Sequence, residues 1–150
     1  MIRRFEDYAS TARFNTQVVV VGTGAGGATV GMTLAESGVD VLFVEEGAWH
    51  DPSTFNPYAA ESLPRLYRDA GTTVILGTPP IPYVEGRAVG GSTVINGGMC
   101  YRPPEEVLAN WERFTGTPDF GAKGLEPYFE QVEERISAKY QLPMSVGDDS

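Results

Sequence analysis

Gly22, Gly24 and Gly27 form a G-x-G-x-x-G run at the end of the apolar stretch "QVVVVG". In that setting the first glycine permits a tight turn and the second lets the backbone approach a pyrophosphate. The third lets a following helix lie close to the strand, and the helix N-terminus offers free N–H groups to the phosphates. Glu45 stands eighteen residues after Gly27, at the end of a second apolar run. A carboxylate there would accept hydrogen bonds from a ribose diol. Glu46 could take that role instead, but the first carboxylate after the strand is the better candidate, and Glu46 otherwise reads as a solvated loop charge. The competing reading of the whole motif is a glycine-rich structural turn. NAD and FAD both carry an ADP ribose and a pyrophosphate, and this motif does not choose between them.

A second concentration of glycine lies in "GRAVGGSTVINGGMCYRPP", residues 86–104, with no charge between Arg87 and Arg102. Glycine weakens helix and strand alike, so such a cluster needs a reason, usually something lying closer to the backbone than a Cβ allows. Gly90 and Gly91 allow close passage. Ser92 and Thr93 can cap a following helix or bond a phosphate. Val94 and Ile95 bury the segment, and Asn96-Gly97-Gly98 then offers polar backbone and amide contacts to a flat redox ring.

These groups need elements to hold them. Residues 17–22 and 39–47 read as strands buried on both faces. Residues 25–37, rich in small side chains, read as a helix packed closely on the first strand and ending at Gly38. Strand, helix and strand make a βαβ unit with parallel strands. "FNPYAAESLPRLYRDAG" predicts a helix broken at Pro64, and "TTVILGTPPIPYVEG" a short strand followed by an extended loop. "RPPEEVLANWERF" opens a helix with prolines and Glu105-Glu106, acids suited to a helix N-terminus. "GLEPYFEQVEERISAKY" puts Leu125, Tyr128, Phe129, Val132 and Ile136 on one helical face. After Tyr140 the chain trails off without a closing element.

The 150 residues are 41% hydrophobic with a net charge of −9, enough for one core and unsuited to nucleic acid or anionic membrane partners. No apolar run reaches membrane-spanning length. Arg3-Arg4 hints at a twin-arginine export signal, but no apolar segment follows it. One cysteine, Cys100, forms neither an internal disulfide nor a zinc cluster, which fits a reducing, cytoplasmic compartment. Its expected place is that of a small buried hydrophobe.

The ordered stretches "VVVVGTGAGGATVG", "VLFVEEG", "GRAVGGSTVINGGM" and "NWERFTGTPDFGAKGLEPYFEQVEE" resemble the glucose-methanol-choline (GMC) family of FAD-dependent oxidoreductases, over roughly residues 15–135. The resemblance implies an α/β fold: a Rossmann-like FAD-binding βαβ with a parallel sheet, incomplete, as the N-terminal portion of a larger FAD/NAD(P)-binding fold. It implies FAD as cofactor, with Gly22, Gly24, Ala25, Gly26 and Gly27 at the pyrophosphate and Glu45 at the adenosine ribose. Gly90, Gly91, Ser92, Asn96, Gly97 and Met99 would lie along the flavin and its ribityl chain. Some relatives attach FAD through a histidine in this signature. Ile95 stands at the matching position, so the resemblance implies noncovalent binding.

The family's chemistry uses a histidine near the C-terminus as base, with a second histidine or asparagine beside it. The sole histidine here, His50, follows the second strand and reads as a surface residue. The expectation is therefore that residues 1–150 form the N-terminal part of an FAD-binding domain, without catalytic base, metal ligands or most of the substrate region. The expected partners are an alcohol and an electron acceptor (oxygen, a quinone or another carrier). An NAD(P)-dependent dehydrogenase is the alternative enzyme, disfavoured because the second glycine signature has no role there. A non-catalytic nucleotide-binding module is the third class.

Overall fold

Four consecutive valines, Val18–Val21, form β1, and Val41–Val44 forms β2. Branching at Cβ stiffens the valines of both strands and suits them to a pleated surface. The strands pair in parallel, in register from Val18↔Val41 to Val21↔Val44. Val18 N–H donates to Asp40 O at 3.1 Å and Gly22 N–H to Val44 O at 2.8 Å, extending the pairing past both ends. Parallel neighbours require a crossover, supplied by helix α1, Ala25–Glu36. The expected βαβ unit and α/β class are therefore present in the computed structural model, which describes residues 1–139. The expectation for the stretch after Tyr140 lies outside the described residues.

Two glycines set how closely α1 lies on the sheet. A Cβ on Gly27 would collide with the Gly22 carbonyl oxygen and crowd Val20, and one on Gly31 would enter the Phe43 ring. Val20 is buried on that side. The strands are not buried on both faces as expected: Val19 is 53% and Val21 84% exposed, and Phe43 and Val44 are exposed as well. Alternation puts Val19 and Val21 on the face opposite α1.

Beyond β2, helix α2 spans Ala59–Leu66 and runs through Pro64 rather than breaking there. Proline forfeits one backbone bond in a helix, and this helix ends two residues later, with Leu66 buried. Asp69 and Ala70 then take left-handed φ values of 47° and 53° and turn the chain back. Val74–Ile75 forms β3 and pairs antiparallel with β4, Ile81–Pro82, where an extended loop was expected. Pro82 is tolerated because a two-stranded ribbon is all edge. The returning chain is fastened at Arg68 N–H to Glu85 O (2.9 Å) and Arg87 N–H to Leu66 O (2.8 Å). A parallel bridge between Ala48 and Ala88 then lays residues 88–91 beside the chain leaving β2. Ala88, 1% exposed, is the most buried hydrophobe described.

The chain divides into two compact units, Met1–Gly97 and a second starting at Gly98. In the second, α3 (Glu105–Thr115) begins with the two expected acids and ends at Gly116, φ 70°. Helix α4 is Ala122–Arg135. The Arg102 guanidinium bonds Glu126 at 2.6 Å and Glu133 at 2.7 Å, and lies 5.6 Å from the Phe129 ring centre. Of the expected apolar face of α4, Leu125 and Phe129 are half-buried, whereas Tyr128, Val132 and Ile136 are exposed. Cys100 is likewise exposed rather than buried, because it lies in an irregular segment before α3 that covers no core.

The two packing glycines should respond differently to a methyl group. Gly27→Ala meets backbone that cannot move aside, and we expect a loss of about 1–2 kcal/mol, overpacking outweighing alanine's better helix propensity. Gly31→Ala meets a partly exposed ring that can swing, and should cost less. Urea unfolding of both variants checks this; an equal or reversed order would contradict the packing described.

Candidate functional site

The first glycine turn is set by backbone geometry. Gly22 has φ 88°, a conformation that costs a residue bearing Cβ. Gly24 then stands at the N-cap of α1 without a side-chain cap. The amides of Ala25, Gly26 and Gly27 consequently lack intrahelical acceptors and carry the positive end of the helix dipole. A Cβ on Gly24 or Gly26 would meet nothing within 4 Å, and neither residue has positive φ. Nothing among the described residues requires glycine at these two positions. Gly27 differs, being required by the helix–strand contact.

The second turn folds against the first. Gly90 and Gly91 have φ of 101° and 58°, and a Cβ on Gly91 would come within 2.9 Å of the Gly24 Cα. A Cβ on Gly86 would strike the Gly91 carbonyl, and one on Gly47 would strike the Arg87–Ala88 backbone. Ser92 and Thr93 cap no following helix. They lie in the single turn Gly91–Val94, where Ser92 Oγ accepts from Gly86 N–H at 3.0 Å and the Thr93 hydroxyl donates to Gly90 O. Val94 and Ile95 are only half-buried.

Glu45 sits between the turns. Its Oε2 accepts from the Thr23 N–H and the Thr23 hydroxyl, both at 2.8 Å, and Oε1 accepts from Gly47 N–H at 2.9 Å. Burial alone would raise its pKa. The bonds from Gly47 and Thr23 outweigh burial and the charge of Glu46, holding the carboxyl below the ordinary glutamate value of 4.5. Glu46 points into an ion cluster instead: Arg68 pairs with both Glu46 and Glu85, and Arg87 stands 3.6 Å from Glu46. The hydrogen bond from Arg68 holds Glu46 low, and the Arg68 pKa is pushed up in turn.

A cavity of about 540 Å³ opens between these parts, lined by Gly22, Gly24, Glu45, Gly91 and Ser92 together with Arg68 and others. That size falls within the usual range for small-molecule sites. The fold thus assembles five of the twelve candidate site residues around one space, with Gly27 and Gly90 as its support. Ala25 and Gly26 flank it at the exposed start of α1. Asn96 and Gly97 are exposed and do not line it, and Met99 belongs to the second unit. His50 is half-buried rather than a free surface residue, beside a smaller cavity of about 240 Å³ lined also by Gly47, Tyr67 and Arg87. Sequence reasoning missed Thr23, Arg68, Glu85 and Gly86. Thr23 and Gly86 lay inside stretches already under scrutiny. Nothing in the local pattern marked Arg68.

A parallel βαβ with a glycine turn, an acid at the end of β2 and a second glycine turn against the first defines a partial Rossmann-like dinucleotide-binding fold. Residues 63–147 match the family described as GMC oxidoreductase, and the chain belongs to that family. It is 48% identical over 119 residues to an uncharacterized GMC-type oxidoreductase of Mycobacterium tuberculosis, covering 79% of this chain and 18% of the relative. It is 32% identical over 124 residues to a long-chain-alcohol oxidase of Arabidopsis thaliana, covering 83% of this chain and 16% of the relative. Among solved structures it is similar to pyridoxine 4-oxidase from Mesorbium loti (TM-score 0.59, 26% identity), covering 76% of this chain and 24% of that one. A fungal aryl-alcohol oxidase shares the fold (TM-score 0.63, 22% identity), over 87% of this chain and 25% of the other. The chain thus spans about a quarter or less of these relatives. The N-terminal domain of the family is its FAD-binding domain, and FAD is the cofactor. The open space over Gly24 and Gly26 and the cavity beside Glu45 fit such a group.

Glu45→Ala should weaken FAD binding by on the order of 1–3 kcal/mol, the cost of leaving polar groups unpaired, and more than Glu46→Ala does. Titration of the two apo variants with FAD decides the order, and a larger loss for Glu46→Ala would reverse the assignment. A depressed carboxyl pKa gives stability that is complete above the unfolded value and lost as pH falls through the folded one. Stability should therefore begin to decline below about pH 4.5, the ordinary value. Glu45→Gln should flatten that decline in urea unfolding measured across the acid range.

Proposed function

We propose that the chain is the cofactor-holding part of an FAD-dependent oxidoreductase that oxidises a CH–OH group of an alcohol. The observation that carries this reading is the pair Gly24 and Gly26. Glycine inside the first turn of a helix, as at Gly26, costs stability. Glycine at the N-cap, as at Gly24, forgoes the side-chain cap that serine or aspartate would give. The described fold gives no steric or conformational reason for either. A ligand backed against the turn supplies one. The Ala25, Gly26 and Gly27 amides would hold the pyrophosphate, and Glu45 the adenosine ribose. Gly90, Gly91 and Ser92 would bring the second turn along the ribityl chain, with Asn96 and Gly97 toward the flavin. FAD, when bound, supplies the acceptor for hydride from the alcohol carbon. The similar long-chain-alcohol oxidase of Arabidopsis thaliana supports this class of substrate.

The chain's own contribution is binding and orientation. Hydride leaves a carbinol readily only as its hydroxyl proton is removed, which requires a positioned base. His50 does not line the cavity between the glycine turns. Glu45, hydrogen-bonded and held ionised, is anchored to the two turns rather than aimed at a reacting carbon. Neither residue is placed to serve as that base, and the electron acceptor of this reading is oxygen, a quinone or another carrier.

In the holoprotein, anaerobic addition of the alcohol substrate should bleach the flavin absorbance. Retained colour with primary, secondary and aromatic alcohols alike would contradict the reading. Acid precipitation should release the flavin into the supernatant, since Ile95 stands where a histidyl link would form. Residues 1–150 alone, given FAD and an artificial electron acceptor, should turn over no alcohol.

A further inference from the structure

Thr23 lies between the first two glycines of the fingerprint, and its hydroxyl makes two bonds of opposite kind. Oγ1 accepts from Gly90 N–H at 2.8 Å and donates to Glu45 Oε2 at 2.8 Å. A hydroxyl has one proton and two lone pairs, so the polarity of this relay is fixed: Gly90 to Thr23 to Glu45. The Thr23 backbone N–H donates to the same Oε2 at 2.8 Å. Three segments far apart in sequence, the first turn, the end of β2 and the second turn, are thus referenced to one side chain. No other side chain hydroxyl among the hydrogen bonds described joins all three.

We propose that Thr23 is a positioning residue for FAD. Its hydroxyl sets the Glu45 carboxylate and the Gly90-Gly91 turn together, so that both ends of the cavity are formed before the cofactor enters. This rests on the placement of FAD across the two glycine turns given above. Valine has nearly the shape of threonine but cannot relay. With valine, the Gly90 N–H loses its acceptor, Glu45 loses a donor, and the two turns are no longer ordered by a common partner. That ordering must then occur on binding, which lowers affinity. Serine keeps the relay.

The charged groups that share the cavity with Glu45 are Glu46, Arg68 and Glu85, and Arg87 pairs with Glu46. All four remain in a Thr23 variant, so a change in the titration of Glu45 reports the relay. The hydroxyl favours the ionised carboxylate. Binding that depends on this carboxylate is lost as pH falls through its folded pKa. Removing the hydroxyl raises that pKa, moving the acid loss of affinity to higher pH.

The test is titration of apo wild type, Thr23→Val and Thr23→Ser with FAD, followed by quenching of flavin fluorescence over a pH series. Thr23→Val should bind about tenfold more weakly at neutral pH, the scale of one lost hydrogen bond, and its acid limb should lie at higher pH. Thr23→Ser should return both quantities toward wild type. Val20→Ala, which loosens the strand beneath the turn but keeps the hydroxyl, should lower the thermal midpoint without moving the acid limb. Thr23→Ala gives the same comparison should the valine variant fail to fold. Valine binding as tightly as wild type, valine and serine impaired equally, or an unmoved acid limb would each overturn the proposal alone. A wild-type protein that fails to quench FAD fluorescence would overturn the cofactor placement and the proposal with it.

Discussion

One hydroxyl-centred relay holds the site together. Glu45 leaves the end of β2, and without partners a half-buried carboxylate would sample several rotamers and draw in water. Thr23 supplies two donors from the first glycine turn, Gly47 supplies a third, and the second turn is fastened to the same hydroxyl through Gly90. Charge-assisted hydrogen bonds of this kind are stronger than neutral ones. They explain why the carboxyl stays ionised despite the burial that opposes it.

The glycines around this relay serve different physical ends. Gly22, Gly90 and Gly91 are needed for their positive φ. Gly27, Gly31, Gly47 and Gly86 are needed because backbone or a ring occupies the place of a Cβ. Gly24 and Gly26 answer to neither requirement, which turns attention to the open side of the turn.

The ion cluster of Arg68 with Glu46 and Glu85 forms a second layer. It joins the chain after β2, the turn after α2 and the approach to the second glycine turn. Because its members are partly solvated, its value lies in geometry more than in stability. Elsewhere the unit is thinly buried. Val19, Val21, Phe43 and Val44 on the sheet, and Val74 and Ile75 on the hairpin, expose apolar surface.

The sequence by itself determined the βαβ unit, its parallel pairing and the glycine turn, because these follow from local causes: β-branched runs, small residues on a helix, and glycine where φ must be positive. It also marked Glu45, since an acid at the end of an apolar strand has few structural reasons to be there. The tertiary structure alone decided which candidates meet. Gly91 reaches Gly24 only because residues 88–91 run beside the chain leaving β2, a pairing across forty residues with no local signature. Separation in sequence also hid Thr23 and Arg68, whose partners lie 17 to 67 positions away. Pro64 and the exposed strand faces were misread for a related reason. A helix tolerates one lost bond near its end, and an apolar strand is buried only where a neighbour covers it. Periodicity reports what a segment can bury, while the packing of distant segments settles what it does bury.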